Sequence, residues 1–557
     1  MNSSQRKTKI QSSAAAFTRT VLAGFILIAG SALPSQAQIP APSLLYTFQG
    51  GTTDIYNPWG PIAQGRDGNL YGTGQARGSA ANTGGVFKIT PKGVETLLVA
   101  FPSTWINCGY GLTLATDGNF YGTCVLSGAH NVGFIFRVTP AGVLTDIYDF
   151  LNNTTDACCP LGGLVLGANG DLYGTTGDYG SASSPQVAFS VSTAGVYKTL
   201  YTFSDGNSIP SVLSAGSDGT FYGTEANADG FGNVGGVFRV AAGGTFKLLY
   251  GFVSSTDVYY PSTGVIRATN GKLYGTTAFP SGTDGSGTLY DVTTGGVATD
   301  IYNFPSSLNF DEAANNMMQA SNGSIYGASY NGGTGASGGL YELTSANVFS
   351  SYSFASDSTM GGRPGGPLMQ NTNGIIYGSN SSGNVTTGGT VFELSIGAKP
   401  FISLVTPVYS GEEATKVGIL GQGFTSKSVV EFGSTKATTT ALTGTTFILA
   451  TVPTGALTGD ITVTTGSTIL STLASYKITP TYKGFTPSSG PVGTVVTFSG
   501  TGLAQTTKVT LDNVSASFTV VSDSEIKATV PAGAATGKIT VITKGGSVTT
   551  SAIFTVN

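Results

Sequence analysis

Residues 67–73 read DGNLYGT, and the heptapeptide returns as DGNFYGT (117–123), NGDLYGT (169–175), DGTFYGT (218–224), NGKLYGT (270–276), NGSIYGA (322–328) and NGIIYGS (373–379). Its tyrosines, at 71, 121, 173, 222, 274, 326 and 377, are spaced 50, 52, 49, 52, 52 and 51 residues apart. A fixed period of this length marks a repeat architecture, one supersecondary unit per copy. The Asp-Gly or Asn-Gly that opens each copy accepts the positive φ angles of a tight hairpin turn.

Outward from each heptapeptide the chain shows four strand-like pieces. In the second unit they are GLTLAT (111–116), NFYGT (119–123), FIFRVT (134–139) and VLTDIYDF (143–150). Each is short, rich in β-branched or aromatic residues and bounded by turn formers. Short turns such as TPKG (90–93) and TPAG (139–142) join the third and fourth pieces. Four antiparallel strands repeated at about 50 residues is the pattern of a β-propeller.

The fourth-strand motif also occurs seven times, but out of phase: LLYTF (44–48), LLVAF (97–101), DIYDF (146–150), TLYTF (199–203), LLYGF (248–252), DIYNF (300–304) and SSYSF (350–354). The first copy precedes the first complete unit, and the last unit, ending in TVFELS (390–395), has no fourth strand of its own. Pairing 44–48 with 390–395 removes two exposed sheet edges. The sequence therefore predicts an all-β, seven-bladed β-propeller over 43–396, closed by an N-terminal strand.

Residues 1–37 read as a cleavable secretory signal: Arg6, Lys7, Lys9 and Arg19, then the apolar VLAGFILIAGSAL (21–33), then Ser35-Gln36-Ala37. The apolar stretch is shorter than the roughly 20 residues of a membrane span. No second stretch of spanning length follows, so the mature chain is expected to be secreted or held at the cell surface, with no span. Lys plus Arg number 25 and Asp plus Glu 29, for a formal charge of −4. That balance excludes the basic footprint of a nucleic-acid binder. The single histidine, His130, argues against multi-histidine metal sites and most Ser/His/Asp or Cys/His machinery. No metal, cofactor or catalytic set is expected.

After Lys399-Pro400 the 50-residue period gives way to two copies of a unit of about 79 residues; TVPTGALTGDITV (451–463) matches TVPAGAATGKITV (529–541). Short alternating strands with frequent turns predict two β-sandwiches, 400–478 and 481–557. The opening FTPSSGPVGTVVTFSGTGL (485–503), with Pro487, Gly490, Pro491, Gly493, Gly500 and Gly502, resembles the IPT/TIG immunoglobulin-like family. The first copy, TPVYSGEEATKVGILGQGF (406–424), lacks the GPVGT step. The LYGT core, the G-VF--T strand and the -LY-F strand resemble the GloVer-type ("choice-of-anchor") tandem repeats of bacterial exported proteins. That resemblance implies export and a surface role, without a defined activity.

Strand order places the loops between second and third strands, and those between units, on one face. These are long, as in QGGTTDIYNPWG (49–60) and GQARGSAANTGG (74–85), and a rigid scaffold carrying variable loops is where binding residues concentrate. The candidates are Tyr56, Trp59, Trp105, Tyr110, Tyr259 and Tyr260, with Asp54, Asn107 and Asp257 beside them. Aromatic faces stack on the C–H surface of sugar rings while polar neighbours take hydroxyls; the competing reading is packing between blades. The expected partner is a polysaccharide or a surface protein. An extracellular carbohydrate-active hydrolase or lyase is the alternative, and a structural envelope scaffold the third. Catalysis would need two carboxylates across a cleft; Asp156, Asp205, Asp311 and Glu312 qualify by loop position alone. In an oxidising compartment Cys108, Cys124, Cys158 and Cys159 favour disulfides, with three possible connectivities. Similar loop positions favour Cys108 with Cys158 or Cys159.

Overall fold

The computed structural model describes residues 39–557 except 50–53, 76–83, 106–107, 152, 154–155, 161, 178–185, 204–209, 217–218, 227–234, 253–260, 262, 278–286, 306–307, 309, 311–316, 334, 356–359, 383–387 and 406–408. The signal expected in 1–37 lies outside the described residues. Every regular element described is a β-strand.

Residues 43–394 build seven antiparallel sheets. Sheet one is Pro58–Gln64, Leu70–Gly74, Gly85–Ile89 and Glu95–Ala100, in that order. Sheets two to six repeat the order, beginning at Thr113, Val165, Ser214, Ile266 and Met318. Sheet seven contains Met369–Gln370, Ile376–Ser382 and Thr390–Leu394, with Gly362–Pro364 also paired to Ile376–Ser382. Its outer strand is the N-terminal Ser43–Thr47, antiparallel to Thr390–Leu394 in the register Leu44↔Phe392 and Tyr46↔Val391.

That strand behaves like the fourth strand of a complete sheet. In sheets one to five a register shift in the outer pair leaves out Leu98, Ile147, Leu200, Leu249 and Ile301. In sheet seven the shift leaves out Leu45, the same position of the motif. Sheet six, with Ser351 there, has no shift. A bulge of this kind increases local twist. The skipped residue also orders the neighbouring sheet. A Cβ on Gly142, Gly195, Gly244 or Gly296 would lie within 2.8 Å of the carbonyl oxygen of Leu98, Ile147, Leu200 or Leu249 in the preceding sheet. A Cβ on Gly93 of sheet one would likewise lie 2.6 Å from the carbonyl oxygen of Leu45 in sheet seven.

The heptapeptide is a packing device. Its first residue holds the tyrosine hydroxyl: Tyr71 Oη donates to Asp67 at 2.8 Å and Tyr121 Oη to Asp117 at 2.9 Å, while Asn270 and Asn322 donate to Tyr274 and Tyr326 at 2.8 and 3.1 Å. The glycine after the tyrosine is required by close approach. In all seven sheets its Cβ would fall within 2.7 Å of the aromatic ring opposite it on the third strand, from Phe87 over Gly72 to Phe392 over Gly378. The terminal threonine reaches the next sheet: Thr123, Thr175 and Thr224 donate to the carbonyls of Gly162, Ser211 and Thr263 at 2.8–2.9 Å. The fourth-strand phenylalanines, Phe48 to Phe354, are all buried, and truncating any of them removes about 3–5 kcal/mol.

The two C-terminal units have one topology. Ser403–Leu404, Lys416–Leu420, Phe447–Thr451 and Thr438–Thr443 form one sheet; Thr435–Lys436, Val429–Phe432, Ile461–Thr465 and Thr468–Ser471 form the other. Residues 481–556 repeat both sheets and the short parallel pair, Ser410–Gly411 with Lys477–Ile478 becoming Ser489–Gly490 with Thr555–Val556. Alternating inward residues such as Val430, Phe432, Ile448 and Val463 fill the first core. Val509, Leu511, Ile526 and Val541 fill the second.

The first of these units packs on the short-turn end of the seven sheets. Val405, Leu420 and Phe447 are buried against Leu114 and Leu166, which end the first strands of sheets two and three. Thr446 Oγ1 donates to the Arg66 carbonyl at 2.7 Å, and the Arg66 guanidinium stands 4.3 Å over the Phe447 ring.

Candidate functional site

The opposite, long-loop end gathers one polar-aromatic cluster from three sheets. Trp59 lies at the start of the first strand of sheet one; Tyr330 directly follows the second strand of sheet six; Arg363 is the middle residue of the Gly362–Pro364 strand of sheet seven. The Trp59 and Tyr330 rings meet edge to face at 5.6 Å, and the Arg363 guanidinium stands 5.8 Å from the Tyr330 centroid. Both rings are half-buried and Arg363 is exposed.

Backbone contacts hold the cluster. The Gly60 amide donates to the Gly365 carbonyl at 2.9 Å, and the Asn57 amide to Gly388 at 2.6 Å, tying the Trp59 strand to sheet seven. A Cβ on Gly366 would strike the Gly60 carbonyl carbon at 2.3 Å, so only glycine permits this approach. Arg363 sits at φ +57°, a left-handed conformation that side chains other than glycine, Asn and Asp rarely adopt. Its amide donates to the Ser337 carbonyl at 2.6 Å, which fixes that geometry. An indole, a phenol ring and a guanidinium in contact suit stacking on a sugar face with charged donors beside it.

The other sequence candidates lie elsewhere. Trp105 is half-buried and packs against Phe101, Phe134 and Phe136 at 4.6–5.7 Å, at the edge of the core between sheets one and two. Tyr110 packs with Val125, Cys158 and Cys159. Tyr56 is half-buried beside the end of the second strand of sheet one. Tyr259, Tyr260, Asn107, Asp257, Asp205, Asp311 and Glu312 lie outside the described residues. Tyr330 and Arg363 were missed because neither belongs to the repeated motif.

Two loop carboxylates have structural work. Asp54 accepts from the amides of Gln49 and Ile55 at 2.6 and 2.7 Å and from Tyr46 Oη at 3.4 Å. Asp156 accepts from Tyr148 Oη at 2.5 Å and the Leu151 amide at 3.1 Å. Each stands eight residues beyond the tyrosine of the fourth-strand motif. Burial raises the pKa of Asp156, opposed by those two hydrogen bonds. Tyr46 Oη also lies 3.4 Å from Glu95, which burial and the Asp54 charge push up to about 7. Among the described residues no three His, Cys, Asp or Glu side chains converge to hold a metal.

The cysteine pairing corrects the expectation. Cys108 is bonded to Cys124, so the pairing of Cys108 with Cys158 or Cys159 does not form. The reason is register. Cys108↔Cys124 is the same cross-strand bridge as Pro58↔Gly74 in sheet one, Pro160↔Thr176 in sheet three and Pro261↔Thr277 in sheet five, each 16 residues apart. Cys158 and Cys159 are buried and pack with Val125.

The model of the Gloeobacter/Verrucomicrobia repeat matches residues 34–231 and 209–447, and so spans most of the chain. The chain belongs to this repeat family. The IPT/TIG domain model matches 480–556, the second sandwich-like unit. No curated protein matches the chain. Among solved structures, a surface glycan-binding protein of Prevotella bryantii is 15% identical over 28% of this chain and 41% of its own, with a TM-score of 0.23. A xyloglucan-locus glycan-binding protein of Bacteroides uniformis is 20% identical over 28% and 48%, at 0.15. The matches thus span less than half the length of these two proteins. A fungal alcohol oxidase in complex with copper is 11% identical over 90% of this chain and 99% of its own, at 0.35. At these TM-scores none of the three bears on function. No helix among the described residues is long and apolar enough to cross a membrane.

Proposed function

We propose that this repeat protein is an exported recognition protein. Residues 1–37 are its secretory signal, 43–396 a closed seven-bladed propeller, and 400–478 and 481–557 immunoglobulin-like spacers. Its ligand is a polysaccharide, taken at the long-loop end around Trp59, Tyr330 and Arg363. The propeller reading is supported by the N-terminal strand that completes sheet seven and by the Gly93–Leu45 contact, which repeats between sheets seven and one the contact seen between sheets one and two.

The observation that carries the ligand reading is the convergence of Trp59, Tyr330 and Arg363, 271 and 304 residues from the tryptophan in sequence, at one end of three sheets. Trp, Tyr and Arg are the residue types that dominate binding hot spots. A glycan array on the full chain tests it. Binding is expected to be lost in Trp59→Ala and Tyr330→Ala, with the folded state retained by circular dichroism. A glycan whose binding survives both substitutions removes the proposed site.

A further inference from the structure

A cleft of about 430 Å³ opens at the other end of the sheets, between sheets four and five and the first C-terminal unit. Its size falls in the range of small-ligand sites. One wall carries Arg267, at the end of the first strand of sheet five; the facing wall carries Tyr409, Asp460, Leu473, Ser475 and Lys477. The Arg267 guanidinium stands 5.9 Å from the Tyr222 centroid, inside cation–π range. Ser475 Oγ donates to Asp460 Oδ1 at 2.9 Å. The Lys477 amide donates to the Tyr409 carbonyl at 2.9 Å, so lysine and tyrosine are held together on one segment pair. Burial raises the pKa of Tyr409, and the Arg267 charge opposes that rise.

We infer that this cleft is a second binding site, for a small acidic saccharide whose carboxylate lies between Arg267 and Lys477. In a chain of formal charge −4, the cleft lining carries two cations, Arg267 and Lys477, from two different folding units against one carboxylate, Asp460. A guanidinium takes a carboxylate through paired N–H donors, and the ammonium adds a point charge. Tyr409 and Leu473 offer the apolar surface for a sugar ring, and Asp460 with Ser475 the acceptor and hydroxyl for its polar edge. Because the two cations belong to different units, a bound acid also fastens the first C-terminal unit to the sheets. The choice of a saccharide rests on the recognition reading above; the choice of an anion rests on this cleft alone.

Calorimetric titration of the full chain with digalacturonate, the matched neutral digalactoside and inorganic phosphate tests the site. The acid is expected to bind at least tenfold tighter than the neutral sugar and than phosphate, with affinity falling as salt rises. Arg267→Gln and Lys477→Gln should each weaken the acid at least tenfold, and Trp59→Ala should leave it unchanged. Lys477 is exposed, so its variant is expected to fold even where the Arg267 variant does not. Equal affinity for acid and neutral sugar, or an unaffected Lys477→Gln, overturns the inference. Phosphate binding as tightly as the acid leaves no saccharide site and overturns it too. Loss of acid binding in Trp59→Ala would assign it to the long-loop cluster instead.

Discussion

Gln64 and Thr372, 308 positions apart, hold each other by two hydrogen bonds: Gln64 Nε2 donates to Thr372 Oγ1 at 2.8 Å, and the Thr372 amide donates to Gln64 Oε1 at 2.9 Å. Thr372 Oγ1 also donates to the Gly421 carbonyl at 3.2 Å and accepts from Gln422 Nε2 at 2.9 Å. One buried hydroxyl therefore joins sheet seven, sheet one and the first C-terminal unit. Gln64→Leu and Thr372→Val each strand buried polar groups, and each is expected to cost about 1–3 kcal/mol. The double variant should cost clearly less than the sum, because both remove one interaction. Urea unfolding of the four proteins reads this; strict additivity would mean that the contact does not couple the first and last sheets.

The Cys108–Cys124 bridge closes a short loop within sheet two. By the chain-entropy argument a loop of this length stabilises by about 3 kcal/mol. Cys108→Ala is expected to lose that amount, with a lower denaturant midpoint. Unfolding in iodoacetamide without reductant should leave Cys108 and Cys124 unlabelled, and reduction before alkylation should expose both. Labelling at Cys108 or Cys124 before reduction would reject the pairing.

Glu95 makes stability depend on pH in a direction opposite to that of most carboxylates. Burial and the Asp54 carboxylate raise it from 4.5 to about 7, and its Oε1 has no hydrogen-bond partner among the described residues. The folded chain therefore binds a proton there that the unfolded chain releases. Its contribution is complete below about pH 4.5 and is lost as pH rises through about 7. Glu413, raised to about 7 by burial and by Asp523, acts with the same sign. Glu95→Gln should flatten the fall in stability between these limits and leave the variant more stable than the parent above pH 7. A parent whose thermal midpoint rises between pH 5 and 8, with no difference in Glu95→Gln, would contradict this.

The seven tyrosines, their turns and the out-of-phase strand were legible because they recur, and recurrence exposes packing that one copy hides. The same logic contained the disulfide: Cys108 stands where Pro58, Pro160 and Pro261 stand, 16 residues before its partner position. Cys158 and Cys159 match Cys108 only by position along one strand, whereas the bond is set by the residue across it. A loop aromatic such as Trp105 looks the same in sequence whichever way it faces; here it is half-buried with one side on Phe134. The Trp59–Tyr330–Arg363 cluster had no local signature, since its members meet only when sheet seven lies against sheet one. The cleft beside Arg267 was hidden for a related reason: half its wall belongs to another folding unit.

Arg363 combines an unfavourable backbone conformation with a side chain aimed at Tyr330. Non-glycine residues at positive φ persist where the surroundings over-determine them, and such strain concentrates at functional sites. Arg363→Gly removes the Cβ penalty while adding glycine's chain entropy, so stability should change by less than about 1 kcal/mol. If the guanidinium serves the ligand, the same substitution should weaken glycan binding by about 2 kcal/mol, the scale of a hot-spot residue. Arg363→Lys keeps the charge and loses the planar stack, so its affinity should fall between the two. Thermal unfolding and glycan titration, run on all three proteins, separate the effects. A large gain in stability without loss of binding would show that Arg363 is strained for no ligand's sake, and would leave Trp59 and Tyr330 as the whole of the site.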